Sequence, residues 1–299
     1  MSYYHIDNLY KSQDILMLRE CYAMEKVHGT SAHIRWQDYL HHQPGVLTLF
    51  SGGASHEDFV ALFDRDELEE RICSLDLGYV TIYGEAYGGK MQGMSDTYGP
   101  SLRFIVFEVR VGRCWLNVPD AESIAGNLGL EFVPYRRIPA DIRDIDAELA
   151  RPSEVAIRRG CGDDKMREGV VLRPIVELHK SNNARIIAKH KNDAFRETRS
   201  KRRVEDTSRL KVLEEANAIA EEWVTEARLS HVLDGFVGRV DKEHIGEVIK
   251  AMIADVEREA KGEIVESKDA RKAIGKRTAQ MFKRRLQSRL YNIEGVSDA

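Results

Sequence analysis

Residues 25–31 read Glu25-Lys26-Val27-His28-Gly29-Thr30-Ser31. One lysine stands three positions before a glycine turn, at the end of a short apolar–polar run. An amine in that place can attack the α-phosphate of a nucleotide and hold the nucleotide covalently. It does so near neutral pH only where partial desolvation or a neighbouring positive charge favours the unprotonated form. A lone K-x-x-G carries little weight, so the reading depends on what the rest of the chain sets around it.

Four further segments bear on it. Glu85 lies in T-I-Y-G-E-A-Y-G (81–88), where Gly84 and Gly88 bracket a carboxylate just past a strand-like run. The glycines would let backbone and carboxylate approach a ligand closely, a ribose hydroxyl or a metal-bound water for example. An exposed Glu in a hairpin is the plain alternative. Phe107 sits in R-F-I-V-F-E-V (103–109), whose alternation predicts one face on the core and the other free to stack on a base; most strand aromatics are simply core. Glu168 opens E-G-V-V-L-R-P (168–174) and could coordinate Mg²⁺ beside a triphosphate, or be an inconsequential strand end. Lys189 and Lys191, in I-I-A-K-H-K-N (186–192), share one strand face. Two ammonium groups there repel unless an anion is present, so a phosphate-facing pair is expected, one that would also ease proton loss from Lys26.

Composition excludes several classes. The chain has 299 residues and a formal charge of −4, enough length for one full core and a smaller second one and no bulk positive charge. The charge is uneven: five of the eight positions 196–203 are basic, and positions 271–289 hold eight Lys or Arg with no acidic residue. Such runs can hold phosphates or simply line a solvated helix. Cys21, Cys73, Cys114 and Cys161 are isolated, and no H-E-x-x-H spacing occurs; His41 and His42 read as loop. Neither a zinc knuckle nor a disulfide framework is indicated. No apolar stretch reaches membrane length and the start is not a secretory signal, which sets the expectation of a cytoplasmic protein in a reducing compartment, compatible with a phage source.

Strand-like runs fill the first two hundred positions, at 22–24, 31–36, 46–50, 78–83, 102–111 and 168–174. Helices are expected at 58–75 and 120–128, and at 144–157 with a break at Pro152; the Gly-rich 84–99 reads as an irregular functional loop. Helical periodicity then takes over, at 207–228, 245–259 and 271–290, with no proline after Pro174. The expected class is α+β: a domain of mixed antiparallel sheets over 1–203, then a small all-helical domain over 204–299.

Taken in order, E-K-V-H-G-T, Y-G-E-A-Y-G, F-I-V-F-E-V, R-E-G-V-V-L-R-P and I-I-A-K-H-K-N resemble motifs I, III, IIIa, IV and V of the covalent nucleotidyltransferases. The match is closest to the RNA ligase 2 family of phages, which includes the trypanosome editing ligases. The histidine of K-x-H-G-T is characteristic of that branch, and residues 236–256 (F-V-G-R-V-D-K-E-H-I-G-E-V-I-K-A-M-I-A-D-V) are similar to the helical C-terminal domain of the phage enzyme. The resemblance implies an ATP-grasp-like adenylation domain that uses ATP and Mg²⁺ or Mn²⁺. It makes Lys26 the adenylated nucleophile, with the backbone and side chain around Glu25 meeting adenine and His28 assisting near the departing pyrophosphate. It assigns Glu85 to the ribose, Phe107 to adenine stacking, Glu168 to the metal, and Lys189 and Lys191 to phosphate. The implied substrate is nicked or double-stranded RNA, or an RNA/DNA hybrid, sealed between 3′-OH and 5′-phosphate ends by a monomer needing no protein partner. Lys272, Lys276 and Arg277 are the expected RNA-positioning groups. One departure stands out: the family usually carries an arginine in the strand-turn after motif I, and residues 47–53 contain none, leaving Arg35 or another basic group to compensate. A DNA ligase or capping guanylyltransferase would append an OB-fold of short strands where this chain has helix pattern. A non-catalytic nucleic-acid-binding relative would have lost Lys26, Glu168 or the lysine pair, and all are present.

Overall fold

The strand that ends in Lys26, β1 (Glu20–Lys26), runs down the middle of a four-stranded antiparallel sheet. Its neighbours are β7 (Tyr135–Pro139) and β8 (Gly169–Pro174), and β9 (Ala188–Lys191) pairs outside β8. A second antiparallel sheet takes the order β3-β2-β4-β5-β6, from β2 (Thr30–Gln37), β3 (Val46–Ser51), β4 (Tyr79–Tyr87), β5 (Arg103–Val111) and β6 (Cys114–Trp115). This computed structural model describes residues 3–38, 45–200, 204, 215–236, 238 and 240–294. His41 and His42, residues 201–203 of the basic run and 207–214 of the expected 207–228 helix lie outside them. The chain divides into two units, Met1–Ala194 and Phe195–Ala299, a division that falls before the expected 203/204 boundary.

Period-two patterning sorts the second sheet into two unlike faces. Ala32, Ile34 and Trp36 of β2, Leu47 and Leu49 of β3, and Val80 and Ile82 of β4 are buried in one core. That core is shared with α1 (His56–Val60), α2 (Arg65–Ser74) and α4 (Val118–Asn127) through Phe59, Ile72 and Ala121. The opposite face carries Ser31, His33 and Arg35 of β2 with their cross-strand partners Glu85, Tyr83 and Thr81 of β4. Polar groups therefore collect on the face the core does not use.

The structure departs from the sequence pattern where capping and register intervene. The expected 58–75 helix is two helices, because Ser55 caps α1 by accepting from Asp58 N and Asp64 caps α2 by accepting from Glu67 N. Residues 84–99 are more regular than expected. β4 continues through Gly84 to Tyr87, a 3₁₀ turn follows at Met91–Gly93, and α3 spans Ser95–Tyr98. Gly84 serves packing within the sheet: a Cβ there would lie 2.4 Å from the Ile105 carbonyl oxygen of β5. β6 and β7 escape the pattern, β7 because Arg136 and Arg137 on this edge strand are exposed and break the alternation. Around Pro152, α5 (Ile142–Leu149) and α6 (Glu154–Arg158) flank the expected break.

The second unit is helical among its described residues: α7 (Ala216–Trp223), α8 (Glu226–Asp234), α9 (Ile245–Glu259) and α10 (Lys268–Glu294). The expected 207–228 helix breaks at Thr225, whose side chain caps α8 by accepting from Arg228 N. Ile219, Trp223, Leu229, Met252, Ile274 and Phe282 share its core. α10 sorts its basic residues by face. Arg271 pairs with Glu257, Arg277 donates from Nε to the Val224 carbonyl at 3.1 Å, and Arg285 donates to Ser230 Oγ at 2.6 Å. Lys272, Lys276 and Lys283 are exposed, on one side of the helix by their i, i+4, i+11 spacing. Arg277 thus contributes to the domain's own packing. No helix among the described residues is long and apolar enough to cross a membrane.

Candidate active site

Strand order brings three of the motif residues together. Lys26 pairs in register with Gly169, and Gly169 pairs in turn with Lys191, so β8 delivers Glu168 between the two lysines. Lys26 Nζ lies 2.7 Å from Glu168 Oε2, His28 Nδ1 lies 3.2 Å from the same oxygen, and Lys191 Nζ lies 3.2 Å from Oε1. Glu168 is 1% exposed. Burial alone would raise its pKa, but the Lys26 and Lys191 ammonium groups and the His28 ring outweigh that and hold the carboxyl well below the ordinary range. The anion that the lysine pair calls for is, in part, this carboxylate.

Glu85 approaches from the other sheet. The turn after Lys26 comes so close to β4 that a Cβ on Gly29 would lie 2.3 Å from the Ala86 carbonyl oxygen, which only glycine avoids. Burial pushes the Glu85 carboxyl up to about 7, against the opposing pull of Lys26. The Tyr98 hydroxyl of α3 accepts from His28 N at 3.3 Å, a brace on the same turn that the sequence hides because 84–99 looks irregular.

Two motif residues, Glu25 and Phe107, sit differently from what their motifs imply. The Glu25 carboxylate, 2% exposed, is turned onto the start of α6, where it accepts from Ser153 Oγ and from Glu154 N at 2.8 Å. Alternation along β1 sends it away from Lys26, so only its backbone remains for a base. Phe107 is the extra residue of a bulge: Tyr83 pairs with Glu108 and Gly84 with Val106. The expected alternation of 103–109 breaks there, and Phe107 packs edge-on against Tyr3, with ring centroids 4.9 Å apart. Glu108, beside it, is buried and bridged to Arg173 at 2.9 Å and to Arg185. Lys189 shares a face with Lys191, but its backbone is tied to the 7–9 segment, donating to Asp7 O and accepting from Leu9 N.

Among the described residues no group of three or more His, Cys, Asp or Glu could hold a metal. Glu168 suits a hard divalent cation that takes one or two protein carboxylates and completes its shell with phosphate oxygens and water. Arg35, the candidate to replace the missing arginine, lies on β2 opposite Thr48 of β3 and Thr81 of β4.

A family model described as RNA ligase matches residues 19–191, which spans every one of these groups. The chain belongs to the RNA ligase family. Solved structures similar to it include a Naegleria gruberi RNA ligase variant with AMP and Mn, at 14% identity over 65% of this chain and 57% of that chain, TM-score 0.49. A variant of the same protein with ATP and Mn matches at 14% identity over the same shares, TM-score 0.49, and the protein with PPi at 14%, 65%, 57% and 0.48. This RNA ligase relative thus spans 57% of the length of those chains. No curated protein matches it.

Proposed function

We propose that the chain is an ATP-dependent RNA ligase that joins 3′-OH and 5′-phosphate ends, preferring nicks in duplex RNA, through a lysyl-AMP intermediate on Lys26. The observation that carries this reading is the ion-pair cluster of Lys26, His28 and Lys191 on the single buried carboxylate of Glu168.

In the first transfer the Lys26 ammonium gives up a proton to solvent and the amine attacks the α-phosphorus of ATP. A P–N bond forms, the P–O bond to the β-phosphate breaks, and pyrophosphate leaves. Glu168 orients the nucleophile until the substrate replaces that contact. His28, within reach of the same carboxylate, stands beside the leaving group, and Lys191 offsets charge on the transferring phosphoryl oxygens. Glu85 accepts from the ribose, Phe107 and the Glu25 backbone line the base, and Lys189 meets phosphate further along β9. Glu168 would hold Mg²⁺ or Mn²⁺, which supplies charge neutralisation on the triphosphate. The AMP then passes to an RNA 5′-phosphate, and the neighbouring 3′-hydroxyl displaces it to form the phosphodiester. The helical 204–299 domain positions the RNA through Lys272, Lys276 and Lys283.

The test is joining of a nicked RNA duplex carrying a labelled 5′-phosphate, with ATP and Mg²⁺. Sealing that requires ATP and fails with a 3′-deoxy end supports the reading. No sealing by protein that forms lysyl-AMP would move the substrate to another polynucleotide.

A further inference from the structure

Away from the catalytic cluster, the polar face of the second sheet holds two arginines without matched charge. Arg35 on β2 and Arg110 on β5 lie on either side of Thr81 of β4, in register with it from both strands. The Nε atoms of both are buried without a hydrogen-bond partner. Neither arginine forms an ion pair among the described residues, whereas the nearby Arg173, whose Nε is likewise unpartnered, and Arg185 are charge-matched by Glu108 and Glu177. A buried donor without a partner is costly; the Tyr83 hydroxyl meets part of the need of Arg110, and an acceptor from outside the chain would meet the rest.

Aromatic rings border the pair. Phe50, 40% exposed, stacks on His33 with centroids 5.0 Å apart and an interplanar angle of 28°. On the other side Trp115, covered by the Arg185 guanidinium at 4.2 Å, lies 5.4 Å from the Arg110 guanidinium and 5.6 Å from the ring of Tyr4, which is 56% exposed. Guanidinium groups beside the exposed rings of Phe50 and Tyr4 suit a strand whose phosphates meet the arginines while its bases stack on those rings. A duplex, its bases already stacked on one another, would leave the rings unused. The face is continuous with the candidate active site: Ser31 is opposite Glu85, and Arg35 is four residues further along β2, about 13 Å at strand rise.

From this we infer that Arg35 and Arg110, with Phe50, Tyr4 and Trp115, form a subsite for an unpaired polynucleotide strand leading to the joining site. The inference rests on the RNA ligase reading for its substrate class, and it extends that reading to ends that are not fully base-paired.

The experiment is fluorescence anisotropy of a 5′-labelled 12-nucleotide single-stranded RNA on the full chain, without ATP or metal so that no chemistry occurs. R35Q/R110Q, R35K/R110K and F50A are compared with wild type, and intrinsic emission is compared with that of W115F. R35Q/R110Q should bind at least tenfold more weakly, with a salt slope shallower by about 1.4 for two phosphates no longer neutralised. R35K/R110K should keep most of that slope, and F50A should lose about fivefold in affinity. RNA should quench emission in wild type and not in W115F. Unchanged affinity and slope in folded R35Q/R110Q overturn the subsite. Should that variant fail to fold, unchanged binding by F50A together with no Trp115 response overturns it equally. An equal loss of 12-base-pair duplex binding overturns the single-strand assignment. Separate labelling with ATP keeps the two claims apart: lysyl-AMP without this RNA effect sinks only the subsite, and the RNA effect without lysyl-AMP sinks only the ligase reading.

Discussion

Lys26 Nζ and Glu168 Oε2 are 2.7 Å apart although 142 positions separate the residues in the chain. β1 and β8 bring them together by pairing Lys26 with Gly169, so the lysine and its counter-charge are set by strand register. The same carboxylate takes Lys191 and His28, which makes it the electrostatic centre of the site.

Glu168 should therefore carry a pH signature. Its depressed folded pKa means that it stabilises the fold above the unfolded carboxyl value of 4.5, and that this contribution fades as pH falls from there through the folded value. Glu168→Gln removes it. Thermal melts from pH 7 to pH 3 should show the variant well below wild type at neutral pH, with the gap closing on acidification. Lysyl-AMP formation should fall at least about a hundredfold. A gap that widens toward acid would contradict the assigned charge state.

Glu85 should behave in the opposite sense. Its carboxyl is raised to about 7, so the stability it confers is full below 4.5 and is lost as pH rises through about 7. Glu85→Gln, which cannot ionise, should gain in melting temperature relative to wild type between pH 5 and pH 8. A hydroxyl partner is accepted best by the ionised form, so wild-type lysyl-AMP formation should rise through about pH 7 and flatten in the variant. A flat wild-type profile would remove Glu85 from nucleotide binding.

The Glu25 carboxylate caps α6 through Ser153 and Glu154. Glu25→Ala should cost about 1–3 kcal/mol of unfolding free energy by urea titration, the cost of stranding buried donors at a helix start. If Glu25 instead met adenine through its side chain, the loss would fall on ATP affinity with stability unchanged.

On α10, K272Q/K276Q/K283Q should weaken RNA joining and reduce its salt dependence by about 0.9 for each phosphate no longer neutralised, while lysyl-AMP formation stays within about twofold. Arg277→Gln should lower stability, because its Nε holds the Val224 carbonyl. Equal loss of adenylylation and joining in the triple lysine variant would refute the RNA-positioning role.

Much of the α+β arrangement is legible in the sequence because β2, β3, β5 and β8 alternate or run apolar between turn residues, and α9 keeps its apolar period throughout. Lys26, His28, Glu85, Glu168 and Lys191 are visible there as polar residues in or beside strands, and pairing of distant strands brings them together. What stays illegible depends on register and on side-chain direction. The bulge at Phe107 adds one residue to β5 and ends the alternation there, which no local pattern records. Glu25 faces away from Lys26 because neighbours on a strand point oppositely. Arg277 differs from Lys276 by one position and a turn of about 100° around the helix, and that turn separates packing from surface.

The central claim is that Lys26 becomes covalently adenylylated. The most direct measurement is intact mass and peptide mapping after incubation with Mg²⁺ and α-labelled ATP, without nucleic acid, beside GTP and Lys26→Ala. The account predicts one AMP on Lys26, formed with ATP in preference to GTP and absent from the variant. Label that persists in Lys26→Ala, or no label from wild type shown by mass to be unmodified beforehand, would contradict it.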